Sequence, residues 1–105
     1  MGDDGHTASI FPHEINLWNS ENICEVAIHP ESGQKRVSLT GPTINNAAIV
    51  AFLVTGASKK EKVDIIINKK NNYKLYPASL VAPESNNLIW FLDAAAAKEI
   101  TVDNL

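Results

Sequence analysis

The stretch IVAFLV at residues 49–54 decides the fold that the sequence predicts. It is an unbroken apolar run, and Thr55 and Gly56 end it. Such a run is typical of a β-strand buried on both faces, as strands of parallel sheets are. A second run, LIWFL at residues 88–92, has the same character. We therefore expect Trp90 and Phe91 to lie in the core.

The residues between these two runs carry helical signals. Ser58 is a suitable N-cap, and Glu61 stands at the matching position of a capping box. Val63, Ile66 and Ile67 then follow one another at helical spacing. Because strands alternate with helices along the chain, the sequence predicts an α/β fold with a parallel sheet.

The chain before residue 49 is predicted to form a hairpin. Residues 23–28 and 36–40 alternate between apolar and polar side chains, and the turn-forming residues 30–33 lie between them. Cys24, the single cysteine, falls on the first of these strands. We expect it to be buried as a small hydrophobic residue.

Three further helices are predicted. Pro42 is placed at or near the first turn of a short helix over residues 43–48, where its missing N–H costs little. Residues 77–81 are a candidate for a second short helix. Asp93 is predicted to cap a third one over the alanine-rich residues 94–98.

Size and composition limit what the chain does. With 105 residues, a net charge of -3 and 45% hydrophobic residues, it is at most one soluble domain. A lone cysteine excludes an internal disulfide and a cysteine-rich metal site. The mild acidity argues against nucleic-acid binding but allows an anionic substrate. With no signal peptide and no membrane-length apolar run, the cytoplasm is the expected location.

The first residues, GDDGHT at residues 2–7, carry the groups best suited to chemistry. His6 is the type of side chain that takes a proton near neutral pH, and Asp4 stands two residues before it. Gly2 and Gly5 permit a tight backbone path that leaves amides open to an anion. From spacing alone, a surface turn with an incidental histidine is the favoured interpretation, because the D-G-H pattern is short.

Longer stretches of the sequence resemble one family, the 6-phosphogluconolactonases. GDDGHTASIFP at residues 2–12 resembles that family's G-x-D-G-H-T-A-S-L-F-P signature. RVSLT at residues 36–40, FLVTGASK at 52–59 and WFLDAAA at 90–96 resemble its later segments. Such a resemblance implies a three-layer α/β/α fold with a mostly parallel sheet.

The resemblance also implies an activity, the hydrolysis of 6-phospho-D-glucono-1,5-lactone to 6-phosphogluconate without a metal or organic cofactor. His6 is then the general base that activates water, or the group that shuttles a proton to the ring-opening oxygen. Asp4 positions His6 or a sugar hydroxyl. The amides around Gly2 and Gly5 polarise the carbonyl oxygen, and Thr7 belongs to the same substrate-binding loop.

Two cations have both a functional and an ordinary interpretation. Lys59 resembles a phosphate ligand near a helix N-terminus, and a solvated lysine is equally consistent with its position. Arg36 is either a substrate contact or a surface charge at a strand edge. Asn45 is expected to hold a loop, whereas His13 and His29 are expected to be surface residues. Gly41 departs from the family pattern, which has an apolar residue there.

The resemblance predicts that residues 1–105 are the C-terminal part of a single lactonase domain, because no phosphate-binding S-G-G-S-T-P or D-E-R segment is found. Two alternatives stay open: a glucosamine-6-phosphate deaminase/isomerase and a catalytically inactive fragment. The expected partners are a sugar-phosphate lactone and the missing half or a second copy, with no nucleic acid and no membrane. Alone, the chain is expected to be unstable, since the edge of the strand at 49–54 is open.

Overall fold

A computed structural model describes residues 1–100 of the chain. Two sheets of two strands each are connected by short helices. The strands are β1 (Cys24–Ile28), β2 (Lys35–Leu39), β3 (Val50–Val54) and β4 (Leu88–Leu92), and the α-helices are α1 (Gly41–Asn45) and α2 (Lys60–Ile67). Short 3-10 segments cover Pro12–Asn19, Ala57–Lys59, Tyr73–Leu75 and Pro77–Leu80. No helix among residues 1–100 is long and apolar enough to cross a membrane.

β3 and β4 pair in parallel, as the two apolar runs predict, with Phe52 opposite Trp90. The rings of these two residues stack with centroids 4.1 Å apart. On the same face of the sheet, Val54 is fully buried against a cluster that includes Val63 and Ile66 of α2. The α/β class and the apolar stripe of α2 are therefore confirmed.

The other face of β3 and β4 is open, so burial on both faces does not hold within residues 1–100. Leu53 is 78% exposed and Phe91 is 52% exposed, with Ala51 and Ile89 also at the surface. The prediction that Phe91 lies in the core is therefore wrong for this chain, because α2 and the segment Pro77–Leu80 both pack on the opposite face. Trp90 does contact the core cluster.

β1 and β2 form the predicted antiparallel hairpin, with Val26 opposite Val37. Ala27 and Ser38 are buried on the inner face of the hairpin. The Ser38 hydroxyl accepts a hydrogen bond from the Ser9 N–H at 3.0 Å, which ties the hairpin to the first loop, residues 1–10. Cys24 lies on the outer face and is exposed, so its predicted burial is wrong.

Two predicted caps differ from the structure. Ser58 does not cap α2: it lies in the 3-10 turn before the helix, and its hydroxyl donates to Asp3 Oδ1 at 3.1 Å. Asp93 does accept the Ala96 N–H at 2.8 Å, but residues 94–99 form turns and not a helix. Both side chains have long-range partners, since Asp93 also accepts from the Gly56 N–H at 3.1 Å.

Asn45, at the end of α1, holds a loop as expected. Its side-chain oxygen accepts the Ala82 N–H at 2.8 Å, and its amide group donates to the Leu80 carbonyl at 3.3 Å. These bonds hold the chain at the end of the segment Pro77–Leu80. The segment is a short 3-10 helix, in agreement with the short helix predicted there.

The glycine at position 41 is explained by its neighbour Trp18. A Cβ placed on Gly41 would overlap the Trp18 indole and the Trp18 carbonyl oxygen. The space that an apolar side chain would need is therefore filled by the indole, which packs against the turn between β2 and α1.

Gly41→Ala is therefore expected to lower the free energy of unfolding by about 1–3 kcal/mol, the usual cost of overpacking a core. Chemical denaturation of the whole chain measures it. Gly33→Asn is the matched control, because Gly33 has φ 70° with nothing within 4 Å of a Cβ, and asparagine tolerates that backbone. Equal stability of Gly41→Ala and the unaltered chain would contradict the close packing of the Trp18 indole against Gly41.

Candidate active site

The first loop is folded by hydrogen bonds of its own backbone. The Gly2 N–H donates to the His6 carbonyl at 3.0 Å, and the Gly5 N–H donates to the Gly2 carbonyl at 3.0 Å. Gly5 has φ 81°, where a side chain is strained, and a Cβ there would approach the Tyr76 side chain to 2.7 Å. The Gly5 carbonyl in turn accepts the Ala78 N–H at 3.0 Å, so the loop is anchored to the core.

This loop brings Asp4 and His6 together. Asp4 Oδ1 accepts the His6 backbone N–H at 3.0 Å and lies 2.6 Å from His6 Nδ1. An ionised carboxylate only accepts hydrogen bonds, so Nδ1 carries the hydrogen and donates it. In the neutral ring, the free electron pair is then on Nε2. The pair therefore has the arrangement of a base held in one orientation by a carboxylate.

The pKa of Asp4 is lower than its ordinary value. Partial burial opposes ionisation, but the hydrogen bonds from the His6 N–H and the His6 ring outweigh it. The carboxylate is thus ionised wherever the protein is near neutral pH, which is the state that holds His6.

Because the native pKa of Asp4 is lowered, its ionised form stabilises the folded chain above the ordinary aspartate pKa, near 4. That contribution disappears as the pH falls through the lower native value. We expect at most about 1 kcal/mol, since the side chain is 45% exposed to solvent. Denaturant unfolding from pH 7 down to pH ~2 should show a shallower fall in stability for Asp4→Asn; identical profiles would contradict it.

Gly2 and Gly5 shape the loop, and their amides are already used within it. A Cβ on Gly2 would overlap Cε1 and Nδ1 of the His6 ring. Gly2 is therefore required for the position of His6. The amides of Gly2 and Gly5 themselves both donate to backbone carbonyls, so the predicted polarisation of a carbonyl oxygen would fall to neighbouring amides and stays a prediction.

Asp4 and His6 line a cavity of about 220 Å³. The buried Phe11 forms part of its wall, and its ring lies against the His6 ring with centroids 4.3 Å apart. The remaining wall residues are Asp3, His29, Pro30 and Glu31. None of these four was singled out for a role from the sequence, and His29 was expected to be a surface residue. The only local signal was a histidine directly before a Pro-Glu-Ser-Gly turn.

Lys59 lies beside the first loop, as its predicted role requires. Its Nζ donates to the Met1 carbonyl at 2.6 Å and is 3.8 Å from Asp3 Oδ1. The side chain is 22% exposed, so it is not the freely solvated lysine of the alternative interpretation. Whether it binds a phosphate stays a prediction.

The two other predicted site residues, Arg36 and Thr7, do not line the cavity. Arg36 lies on β2, where its Nε donates to Gln34 Oε1 at 2.9 Å, and the described residues that line the cavity do not include it. Thr7 is bridged to Ile10, whose N–H donates to the Thr7 carbonyl at 2.9 Å. The structure gives Thr7 a part in shaping the loop.

Two larger cavities lie elsewhere on the molecule, with volumes of about 740 Å³ and 660 Å³. The first is lined by residues such as Trp18 and Asn45, and the second by residues such as Tyr73 and Trp90. Neither is lined by a histidine, and we place the site at the smaller cavity because the Asp4–His6 pair lines it. Within residues 1–100, no group of three His, Cys, Asp or Glu residues is arranged to hold a metal ion.

The chain thus combines a layer of parallel strands and helices with a loop that holds an Asp–His pair at the edge of a small cavity. Residues 1–90 match the model of the family described as glucosamine-6-phosphate isomerases/6-phosphogluconolactonase. The chain belongs to this family.

Known relatives show the same likeness. The chain is 61% identical over 61 residues to a 6-phosphogluconolactonase of Treponema pallidum, covering 58% of the chain and 25% of that protein. It is 42% identical over 98 residues to the 6-phosphogluconolactonase of Haemophilus influenzae, covering 93% of the chain and 42% of that protein. The solved 6-phosphogluconolactonase of Trypanosoma brucei superposes with a TM-score of 0.81 at 32% identity, over 96% of this chain and 40% of that one.

The chain thus spans at most about two fifths of the length of these relatives.

Proposed function

We propose that this chain takes part in the hydrolysis of 6-phospho-D-glucono-1,5-lactone to 6-phosphogluconate, a step of the oxidative pentose phosphate pathway. The observation that carries the proposal is the Asp4–His6 pair, with Oδ1 and Nδ1 2.6 Å apart at the edge of a cavity. The relatives that are named 6-phosphogluconolactonases support the same reaction.

The geometry supports a simple acid–base mechanism. His6 Nε2 takes a proton from water as the water oxygen forms a bond to the lactone carbonyl carbon. Asp4 holds the ring and stabilises the imidazolium that results. When the tetrahedral intermediate collapses, the bond from that carbon to the ring oxygen breaks, and His6 returns the proton to this oxygen. Water has been added across the ester bond and the base is restored.

The charges around the site favour separate positions for the sugar and the phosphate of the substrate. Asp3, Asp4 and Glu31 line the cavity and repel a phosphate, whereas they accept hydrogen bonds from sugar hydroxyls. We therefore place the sugar lactone at this cavity. Lys59, whose Nζ lies 3.8 Å from Asp3 Oδ1 and 2.6 Å from the Met1 carbonyl, is the cation that we propose for the phosphate contact. The proposed reaction and the lone Cys24 together support a cytoplasmic location.

The test is hydrolysis of freshly generated 6-phosphogluconolactone by the purified chain, measured against spontaneous hydrolysis. A rate above the spontaneous one supports the proposal. Ammonia released from glucosamine 6-phosphate, with no lactone hydrolysis, would favour the deaminase alternative. Absence of both would show that residues 1–105 do not suffice.

We also propose that another polypeptide covers the open face of β3 and β4, formed by Ala51, Leu53, Ile89 and Phe91. The relatives contain more than half of their length beyond what this chain matches. An exposed apolar face of a sheet favours association, because burying it removes apolar area from water. Residues 1–105 are then one part of a single lactonase domain, and that this is its C-terminal part stays a prediction.

Leu53→Lys is accordingly expected to reduce self-association of the isolated chain. Leu53 is 78% exposed, so the charge costs little in the monomer but is buried in any complex through this face. Sedimentation velocity over a concentration series measures it, and Ala94→Lys, at an exposed turn, is the control. A dilute unaltered chain that stays monomeric and melts cooperatively would refute both this expectation and the predicted instability.

A further inference from the structure

His29 has no part in the acid–base mechanism proposed above, yet it lines the same cavity as Asp4 and His6. It follows the end of β1, and its ring meets Phe11 edge-on, with centroids 5.1 Å apart and an angle of 73° between the planes. Phe11 is 2% exposed and also contacts the His6 ring. One buried aromatic side chain therefore positions two imidazoles that sequence spacing separates by more than twenty residues.

The turn after β1 fixes the hydrogen position on His29. Its Nδ1 accepts the N–H of Glu31 at 3.2 Å and the N–H of Ser32 at 3.1 Å. A ring nitrogen that accepts hydrogen bonds carries no hydrogen, so the neutral imidazole has its hydrogen on Nε2. The backbone of His29 is held as well, since its N–H donates to the Gln34 carbonyl at 2.9 Å.

This arrangement makes His29 a hydrogen-bond donor whose orientation is set before a ligand arrives, which lowers the entropy that binding costs. The carboxylates of Asp3, Asp4 and Glu31 in the same wall accept hydrogen bonds but donate none when ionised. A sugar offers oxygens that both donate and accept. The carboxylates suit its hydroxyl hydrogens, and His29 Nε2–H suits one of its oxygens.

We propose that His29 is a substrate-binding residue whose Nε2–H donates a hydrogen bond to an oxygen of the sugar part of the lactone. This inference rests on the proposed function of the site. Its role differs from that of His6: His29 binds through a fixed donor, whereas His6 accepts and returns a proton.

Two substitutions distinguish the roles of the two ring nitrogens of His29. His29→Asn keeps an acceptor near the place of Nδ1, so the turn is retained, but it removes the Nε2–H donor. His29→Gln keeps a donor near the place of Nε2 and removes the acceptor of the turn. With the purified chain, His29→Asn is expected to raise KM for 6-phosphogluconolactone about 3–10-fold with kcat within about 2-fold, because a binding hydrogen bond is lost. His29→Gln should retain a KM closer to that of the unaltered chain.

A second readout needs no turnover. The ring ¹⁵N resonances of His29 are followed by NMR while 6-phosphogluconate is added, with inorganic phosphate as the comparison. The Nε2 resonance should shift with the sugar acid and not with phosphate. This titration decides the inference even when the chain hydrolyses no lactone, a result that would count against the proposed function alone.

Three outcomes would overturn the proposal: unchanged KM in His29→Asn while the unaltered chain is active, an Nε2 resonance indifferent to 6-phosphogluconate, or the same shift with phosphate. Denaturant unfolding of both variants checks the turn. Loss of stability in His29→Gln alone, together with raised KM in His29→Asn alone, is the expected pattern.

Discussion

His6→Ala is expected to lower kcat for lactone hydrolysis by ~10²–10⁴-fold, the usual contribution of a general acid–base group. The ring that takes and returns the proton is gone, whereas the cavity wall and the substrate contacts remain. The loss should therefore fall on kcat more than on KM. Measured rates with freshly generated lactone, corrected for spontaneous hydrolysis, give the comparison.

The matched control is His13→Ala. His13 also lies near Phe11, with ring centroids 6.2 Å apart, but it is exposed and does not line the cavity. Its removal should leave kcat within about 2-fold, since surface substitutions rarely matter. Equal activity of His6→Ala and the unaltered chain would remove His6 from the mechanism. Equal loss in both variants would show that the histidines act through the packing of Phe11.

Gly2→Ala is expected to lower kcat by about 10²-fold, although residue 2 performs no chemistry. A Cβ at this position overlaps the His6 imidazole, so the ring has to rotate away from Asp4. A displacement of about 1 Å in a catalytic group is enough for a loss of this size. Global stability should change little, because Gly2 is only partly buried.

A double-mutant cycle isolates this effect. If Gly2 acts by leaving room for the His6 ring, Gly2→Ala should cause no further loss once His6 is alanine. The rates of the two single variants and the double variant, together with their unfolding curves, complete the cycle. Additive losses in the double variant would show that Gly2 acts on the site independently of His6.

The parts of the fold that the sequence predicted correctly depend on local patterns. β3 and β4 are continuous apolar runs, and β1 and β2 alternate, so strand type and hairpin pairing follow from residue spacing. The stripe of α2 follows in the same way. The Asp4–His6 pair could also be predicted from the sequence, because two residues on one tight loop are close in any compact conformation of that loop.

Two of the predictions that failed concern a choice between a local hydrogen-bond partner and a distant one. Ser58 was expected to cap α2, but Asp3 competes for its hydroxyl across the fold. Residues 94–98 are rich in alanine, yet Asp93 also binds the Gly56 N–H, and turns form instead of a helix. Helix propensity amounts to less than about 1 kcal/mol per residue, so such tertiary contacts override it.

By itself, the sequence determined the strands, the order of the elements, the family likeness and the catalytic candidate His6. The tertiary structure alone decided which faces are buried and which residues share the cavity. Cys24 and Phe91 face outward because the described helices pack on one side only, and His29 joins His6 because both rings contact Phe11. Periodicity specifies which side chains share a face, but only packing between distant segments determines what that face meets.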